Sequence, residues 1–138
     1  MHGIHIFNVL RALPAKIVTH NVGAVNSIGN VVFLAGSERY SCATASFMFH
    51  GVGFDVTSAV RFEQKNLRER LDAIVADEKK IGSIISSRTK LSPEEVNQLF
   101  LEAVTRDPEY ARSKGIVDDI RDPLIPVGSP VHQLVFKR

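Results

Sequence analysis

The sequence predicts an α/β fold. Two stretches rich in β-branched or apolar residues, 16–22 and 45–49, are strand-like, and an apolar helical pattern that starts at Ser27 separates them. A long amphipathic helix is predicted over 63–88. Strands that alternate with helices are typical of α/β architecture, and a chain of 138 residues is most simply one domain with a buried core.

The composition is that of an ordinary globular protein, with 44% hydrophobic and 23% charged residues. The net charge is +2 and the basic residues are scattered, so the sequence predicts neither a nucleic-acid stripe nor a membrane patch. No apolar run approaches the roughly 20 residues of a membrane helix, and the start lacks the pattern of a signal peptide. Cys42 is the single cysteine, which favours a reducing compartment, and the expected location is cytoplasmic.

The first elements follow from apolar spacing and from breakers. Apolar residues at near-helical spacing predict a helix over 3–12, and Pro14 ends it. The strand 16–22 comes next, and the helical pattern from Ser27 runs to about residue 35. Residues 39–43 are interpreted as a short strand or loop before the strand 45–49.

The helix predicted over 63–88 has one apolar stripe, and charged side chains fill its other faces. A helix of this length is expected to project beyond the core of so small a domain. Its stripe then needs a partner, which is either the sheet of the same chain or another subunit.

The last third begins with a strong helix-start signal. Ser92 is predicted as the N-cap and Glu95 completes a capping box. A short helix is expected over 107–115, a short strand over 116–120, and an extended tail over 122–138.

Ser27 and His50 are the candidate catalytic residues. Ser27 is expected at a tight turn between a strand and a helix, where the helix N-terminus favours developing negative charge. His50 follows the strand 45–49, so the two side chains can meet in space and form the minimum equipment for nucleophilic catalysis. Taken singly, Ser27 is also a good helix N-cap and His50 an ordinary structural or surface histidine.

Together these pieces resemble the proteolytic subunit of the Clp protease, a family with the ClpP/crotonase-like fold. The resemblance covers residues 3 to about 121. It rests on Asn-Ser-Ile-Gly at 26–29, Phe-Met-Phe-His at 47–50 and Gly-Ile-Val-Asp at 115–118. It implies a repeated β-β-α core with a projecting "handle" helix, a single domain over 1–121 and a separate tail.

The resemblance also implies the roles of individual residues. Ser27 is then the nucleophile, His50 the general base, and the backbone N–H of Ile28 one donor of the oxyanion hole. Glu102 lies where the family has its triad aspartate, and Asp107 is the next choice for the acid. The chain starts just after the family's segment that gives the second oxyanion donor, so the first strands of the fold are expected to be missing.

The function that this resemblance implies is a serine endopeptidase subunit that works in a homo-oligomer, expected to be a sevenfold ring. Its substrates would be unfolded proteins or peptides delivered by an ATP-driven unfoldase. No metal or organic cofactor is implied, and the chain has no Gly-x-x-x-x-Gly-Lys loop for ATP. Two alternatives stay open, a non-catalytic ring subunit and a crotonase-type acyl-CoA enzyme.

Overall fold

A computed structural model describes residues 2–132. The helices and strands are, in chain order, α1 (His2–Ala12), β1 (Val18–Asn21), β2 (Ala24–Asn26), α2 (Gly29–Phe33), β3 (Glu38–Ser41), β4 (Ser46–Met48), α3 (Gln64–Arg88), α4 (Pro93–Glu102), β5 (Thr105–Arg106), α5 (Pro108–Ser113) and β6 (Asp119–Ile120).

The strands form two small sheets. The first has the order β1-β3-β6 and is parallel throughout. The second has the order β2-β4-β5; β2 and β4 are parallel, and β5 runs antiparallel to β4. This mixture of helices and mainly parallel strands confirms the predicted α/β class.

The core lies where α2, α3 and α4 meet the second sheet. Phe33 of α2 packs edge-on against Phe47 of β4, with ring centroids 5.3 Å apart. Ile85 and Val96 are fully buried beside them and fix α3 and α4 to the same core. Burial of these side chains therefore holds together the elements that carry the candidate site.

Several predicted boundaries are wrong in detail. The predicted strand 16–22 is only four residues long, and a separate strand, β2, follows it. The helix expected from Ser27 to residue 35 starts at Gly29 and ends at Phe33. The strand expected over 116–120 is limited to its last two residues, because an earlier part of that segment packs into the core instead. The two-residue strand β5 was not predicted.

Helix α3 agrees with the predicted long helix to within one residue at its start. Ile85, near its C-terminal end, is its one fully buried residue within the described chain. Leu67, Leu71 and Val75 lie on the outer part and are each more than half exposed. The helix therefore projects from the core, and its apolar stripe is covered only near the base.

Helix α4 begins as its sequence predicts. The Glu95 N–H donates to Ser92 Oγ at 3.2 Å, and the Ser92 N–H donates to Glu95 Oε2 at 2.9 Å. The ammonium group of Lys114 binds the other oxygen of Glu95, and this hydrogen bond lowers the pKa of the Glu95 carboxyl. The capping box thus also ties α4 to the end of α5.

Arg39 joins the first sheet to residues 114–118, the closing segment, which lie between α5 and β6. Its guanidinium is buried and donates to the carbonyl oxygens of Ile116 (2.9 Å), Gly115 (3.1 Å) and Gly36 (3.3 Å). Its backbone N–H donates to Asp118 Oδ2 at 2.8 Å. One side chain therefore satisfies several carbonyl groups where strand β3 meets the closing segment.

After β6 the described chain is irregular up to residue 132, with one turn in which the Ser129 N–H donates to the Pro126 carbonyl oxygen. The predicted tail 122–138 agrees with this over its first part, and residues 133–138 lie outside the described residues. The division of the chain into a domain at 1–121 and a tail stays a prediction. No helix in residues 2–132 is long and apolar enough to cross a membrane.

Replacing Arg39 tests its role as a hub. We expect Arg39→Met to lower the free energy of unfolding by about 2–4 kcal/mol, because buried carbonyl groups lose charge-assisted donors. Chemical denaturation followed by circular dichroism measures this change. Arg112→Ala is the control, since within residues 2–132 the Arg112 guanidinium makes only an exposed ion pair with Glu109. Its replacement should cost less than about 0.5 kcal/mol. Equal stability of the two variants would contradict the role of Arg39.

Candidate active site

Ser27 lies at a sharp turn between strand β2 and helix α2. Its backbone has a positive φ of 55°, in the left-handed region that residues other than glycine seldom adopt. Such a conformation costs about 1–3 kcal/mol and persists only where the surroundings impose it. A sharp strand-to-helix turn of this kind exposes the nucleophile in the α/β-hydrolases. The strained residue in this turn is the serine that the sequence singled out.

The buried side chain of Asn30 holds this turn. Its Nδ2 donates to the carbonyl oxygen of Ser27 at 3.0 Å and to that of Met48 at 2.8 Å. The Ser27 N–H donates to the same Met48 oxygen at 2.9 Å. The turn after β2 is thereby bound to the end of β4, and the Ser27 backbone cannot relax without breaking these hydrogen bonds.

His50 reaches the same place from the neighbouring strand. Because β2 and β4 are parallel, with Asn26 opposite Met48, their carboxyl ends lie side by side. The His50 Nδ1 is 2.7 Å from the Gly51 carbonyl oxygen. A carbonyl oxygen can only accept, so Nδ1 carries the proton and Nε2 is left as the basic nitrogen.

Ser27 and His50 line one cavity of about 360 Å³. Its apolar wall comes from Ile28, Phe49, Ile81, Ile85 and Phe100. Helix α1 closes one side, because Gly3 lies directly against the Ile28 side chain, with no room for a Cβ atom at residue 3. The structure thus brings the predicted nucleophile and base to a single apolar pocket of the size that binds a ligand or substrate side chain.

The two carboxylates considered for the acid have other partners. Glu102, at the end of α4, accepts from Gln98 Nε2 at 2.9 Å and from Arg106 Nη2 at 3.1 Å. Asp107 caps helix α5 by accepting from the Tyr110 N–H at 2.7 Å. In this structure the partner of the His50 ring is the Gly51 carbonyl, and the assignment of Glu102 stays a prediction.

Sequence reasoning missed two parts of this arrangement. Asn30 was overlooked, although a polar residue within an apolar helical stretch is a signal for a buried structural role. The Gly51 carbonyl was also missed, and no sequence signal identifies a backbone oxygen as the partner of a histidine. Within the described residues, no group of three or more His, Cys, Asp or Glu side chains could hold a metal ion.

The family model for Clp protease matches residues 1–123 of the 138-residue chain. The chain belongs to the Clp protease family. The match runs from α1 through β6 and so includes every element that lines the cavity. No curated protein matches the sequence. The general class of this chain is therefore that of the Clp-type peptidases. The match also confirms the resemblance found in the sequence.

Asn30 provides a test of how the Ser27 turn is held. We expect Asn30→Ala to lower the free energy of unfolding by about 1–3 kcal/mol, because two buried hydrogen bonds are lost. Asn30→Asp should cost more, since a carboxylate would face two carbonyl oxygens. Denaturant titration measures both. Asn8→Ala, an exposed position in α1, is the control and should be near neutral. A neutral Asn30→Ala would show that the turn is held by other means.

Proposed function

We propose that this chain is a proteolytic subunit of a Clp-type serine peptidase, with Ser27 as nucleophile and His50 as general base. One observation carries the proposal. Ser27 and His50 line the same cavity. Ser27 lies in a strand-to-helix turn with a left-handed backbone conformation, and His50 follows the adjacent parallel strand. Membership of the Clp protease family supports peptide bonds as the substrate class.

The proposed reaction follows from the tautomer of His50. Nε2 takes the proton of Ser27 Oγ as the oxygen attacks the peptide carbonyl carbon. The C–N bond then breaks, the imidazolium gives its proton to the leaving amine, and an acyl-enzyme remains on Ser27. Water, deprotonated by the same nitrogen, then attacks the ester carbon, the bond from that carbon to Ser27 Oγ breaks, and the imidazolium returns its proton to Oγ. The hydrogen bond from Nδ1 to Gly51 keeps the ring in the required tautomer throughout.

The oxyanion of the tetrahedral intermediate is assigned to the backbone N–H of Ile28, as the family resemblance implies. Ile28 immediately precedes α2, and the backbone hydrogen bonds of this turn include that from the Asn30 N–H to the Ser27 carbonyl oxygen at 3.1 Å. One well-placed donor of this kind stabilises the transition state by about 3–4 kcal/mol. Its position next to the nucleophile supports the assignment.

The identity of the acid is part of the proposal. Glu102 is assigned to it by the resemblance alone, and its carboxylate must leave Gln98 and Arg106 before it can reach the imidazole. The same engagement of Glu102 favours a second candidate function, a non-catalytic ring subunit that keeps the fold of the family.

We further propose that the chain works as a homo-oligomeric ring, expected to be sevenfold, that receives unfolded protein from an ATP-driven unfoldase in the cytoplasm. The exposed apolar residues of α3 and of α1 support an assembly, because each helix leaves part of its apolar surface uncovered. Leu71 of α3 and Val9 of α1 are examples, with exposed fractions of 59% and 47%.

Labelling by a fluorophosphonate separates the peptidase from the non-catalytic subunit. An activated Ser27 Oγ displaces fluoride at phosphorus, so we expect an adduct that peptide mapping places on Ser27. Ser27→Ala should remove it, and His50→Gln should slow its formation by about 10³-fold or more.

Ser46→Ala is a matched control, because Ser46 lies in β4 before the candidate base. It should label like the natural chain. A folded, assembled protein that gives no adduct at Ser27 would reject the peptidase and leave the non-catalytic subunit.

The role of α3 in assembly is tested at Leu71. We expect Leu71→Asp to shift the protein from its oligomer to smaller species in native mass spectrometry. In the proposed assembly Leu71 is buried between subunits, where a carboxylate would replace an apolar side chain. Arg68→Ala, on a charged face of the same helix, should leave the oligomer unchanged. An unaltered mass for Leu71→Asp would exclude this part of α3 from the interface.

A further inference from the structure

The peptide unit between Gly51 and Val52 connects the candidate base to helix α3. The carbonyl oxygen of this unit accepts from His50 Nδ1 at 2.7 Å. The N–H of the same unit, on Val52, donates to Glu78 Oε1 at 3.0 Å. A half-buried carboxylate, one amide plane and the imidazole therefore form a continuous hydrogen-bonded chain.

The direction of these bonds gives the chain a physical effect on His50. An N–H that donates to a carboxylate becomes more polarised, and the opposite end of the same amide becomes a stronger acceptor. The Gly51 oxygen thus holds the Nδ1 proton more firmly than an isolated carbonyl group would. The result is a ring held in the Nδ1–H tautomer, with Nε2 as the nitrogen that can accept a proton.

The backbone at this point is shaped to admit the carboxylate. A Cβ atom on residue 51 would lie 2.6 Å from Glu78 Oε1, closer than any real contact of this kind. On its other side the Gly51 N–H donates to the Phe100 carbonyl oxygen at 3.1 Å, which anchors the segment to α4. Only glycine at this position lets Glu78 reach the Val52 N–H without displacement.

We infer that Glu78 is a positioning residue for His50 and acts through the Gly51–Val52 peptide unit. In the arrangement described, in which Glu102 and Asp107 contact other groups, Glu78 holds the orientation of the imidazole through this peptide unit. The inference rests on the proposed function of His50 as the general base.

The test uses the full-length protein and two independent ways to disconnect the carboxylate. Glu78→Ala removes it. Gly51→Ala leaves it in the chain but forces Oε1 to shift from its position beside the Val52 N–H, because the new Cβ would lie 2.6 Å from that oxygen. Glu78→Gln keeps an acceptor for the N–H and removes the charge. Glu69→Ala is the control, a carboxylate on the same helix whose partner is the exposed Lys65.

Two readouts are taken on each variant. The first is the second-order rate of fluorophosphonate labelling at Ser27. The second is the tautomer of His50, from the ring ¹⁵N shifts in solid-state NMR, with the signal assigned by His50→Gln. The second readout does not depend on any activity. Circular dichroism and native mass confirm that each variant is folded and assembled.

We expect Glu78→Ala and Gly51→Ala to slow labelling about tenfold, the lower end of the effect of losing a group that orients a metal-binding histidine. Both should also raise the share of the Nε2–H tautomer. Glu78→Gln should fall between these variants and the natural chain, and Glu69→Ala should match the natural chain.

Unchanged labelling and an unchanged tautomer in both Glu78→Ala and Gly51→Ala would overturn the inference. A loss of rate in Glu102→Ala alone, with Glu78→Ala unaffected, would also overturn it and assign the orienting role to Glu102. If the natural chain gives no adduct but Glu78→Ala still changes the tautomer, the proposed peptidase function fails and the contact between Glu78 and His50 stands.

Discussion

The parallel pairing of β2 with β4 is the constraint on which the site depends. It places the ends of two strands side by side, so that residues 23 positions apart in the chain become neighbours. The Met48 carbonyl oxygen is the centre of this junction, because it accepts from both the Ser27 N–H and the Asn30 side chain. The strain of the serine turn is therefore balanced by hydrogen bonds to a strand that itself lies against the core.

The sequence predicted the parts of this arrangement that depend on local pattern. Apolar periodicity identified α3 nearly to its ends, and side-chain chemistry identified the start of α4. Order along the chain and the resemblance to a known family selected Ser27 and His50, whose catalytic roles stay a prediction. The two helices depend on residues close together in sequence, where propensity and spacing are informative.

The parts that escaped prediction depend on contacts between distant segments. Strand β5 exists because β4 offers it an edge, and two residues alone carry no signal of a strand. The partner of the His50 ring is a backbone oxygen, and since every residue carries one, the sequence does not single it out. Glu102 was placed by resemblance, and its contacts with Gln98 and Arg106 depend on how α4 ends and β5 begins.

Arg39 has a consequence for the order in which the chain folds. Its acceptors include residues 115 and 116, more than 70 positions further along, and β6 joins the first sheet only at residues 119–120. Until that late segment arrives, the Arg39 guanidinium lacks two of its three carbonyl acceptors and keeps only the Gly36 oxygen. Contacts of such sequence separation slow folding and couple distant parts. The nascent chain is thus expected to acquire its native form only after nearly all of the domain has been synthesised, in one cooperative step.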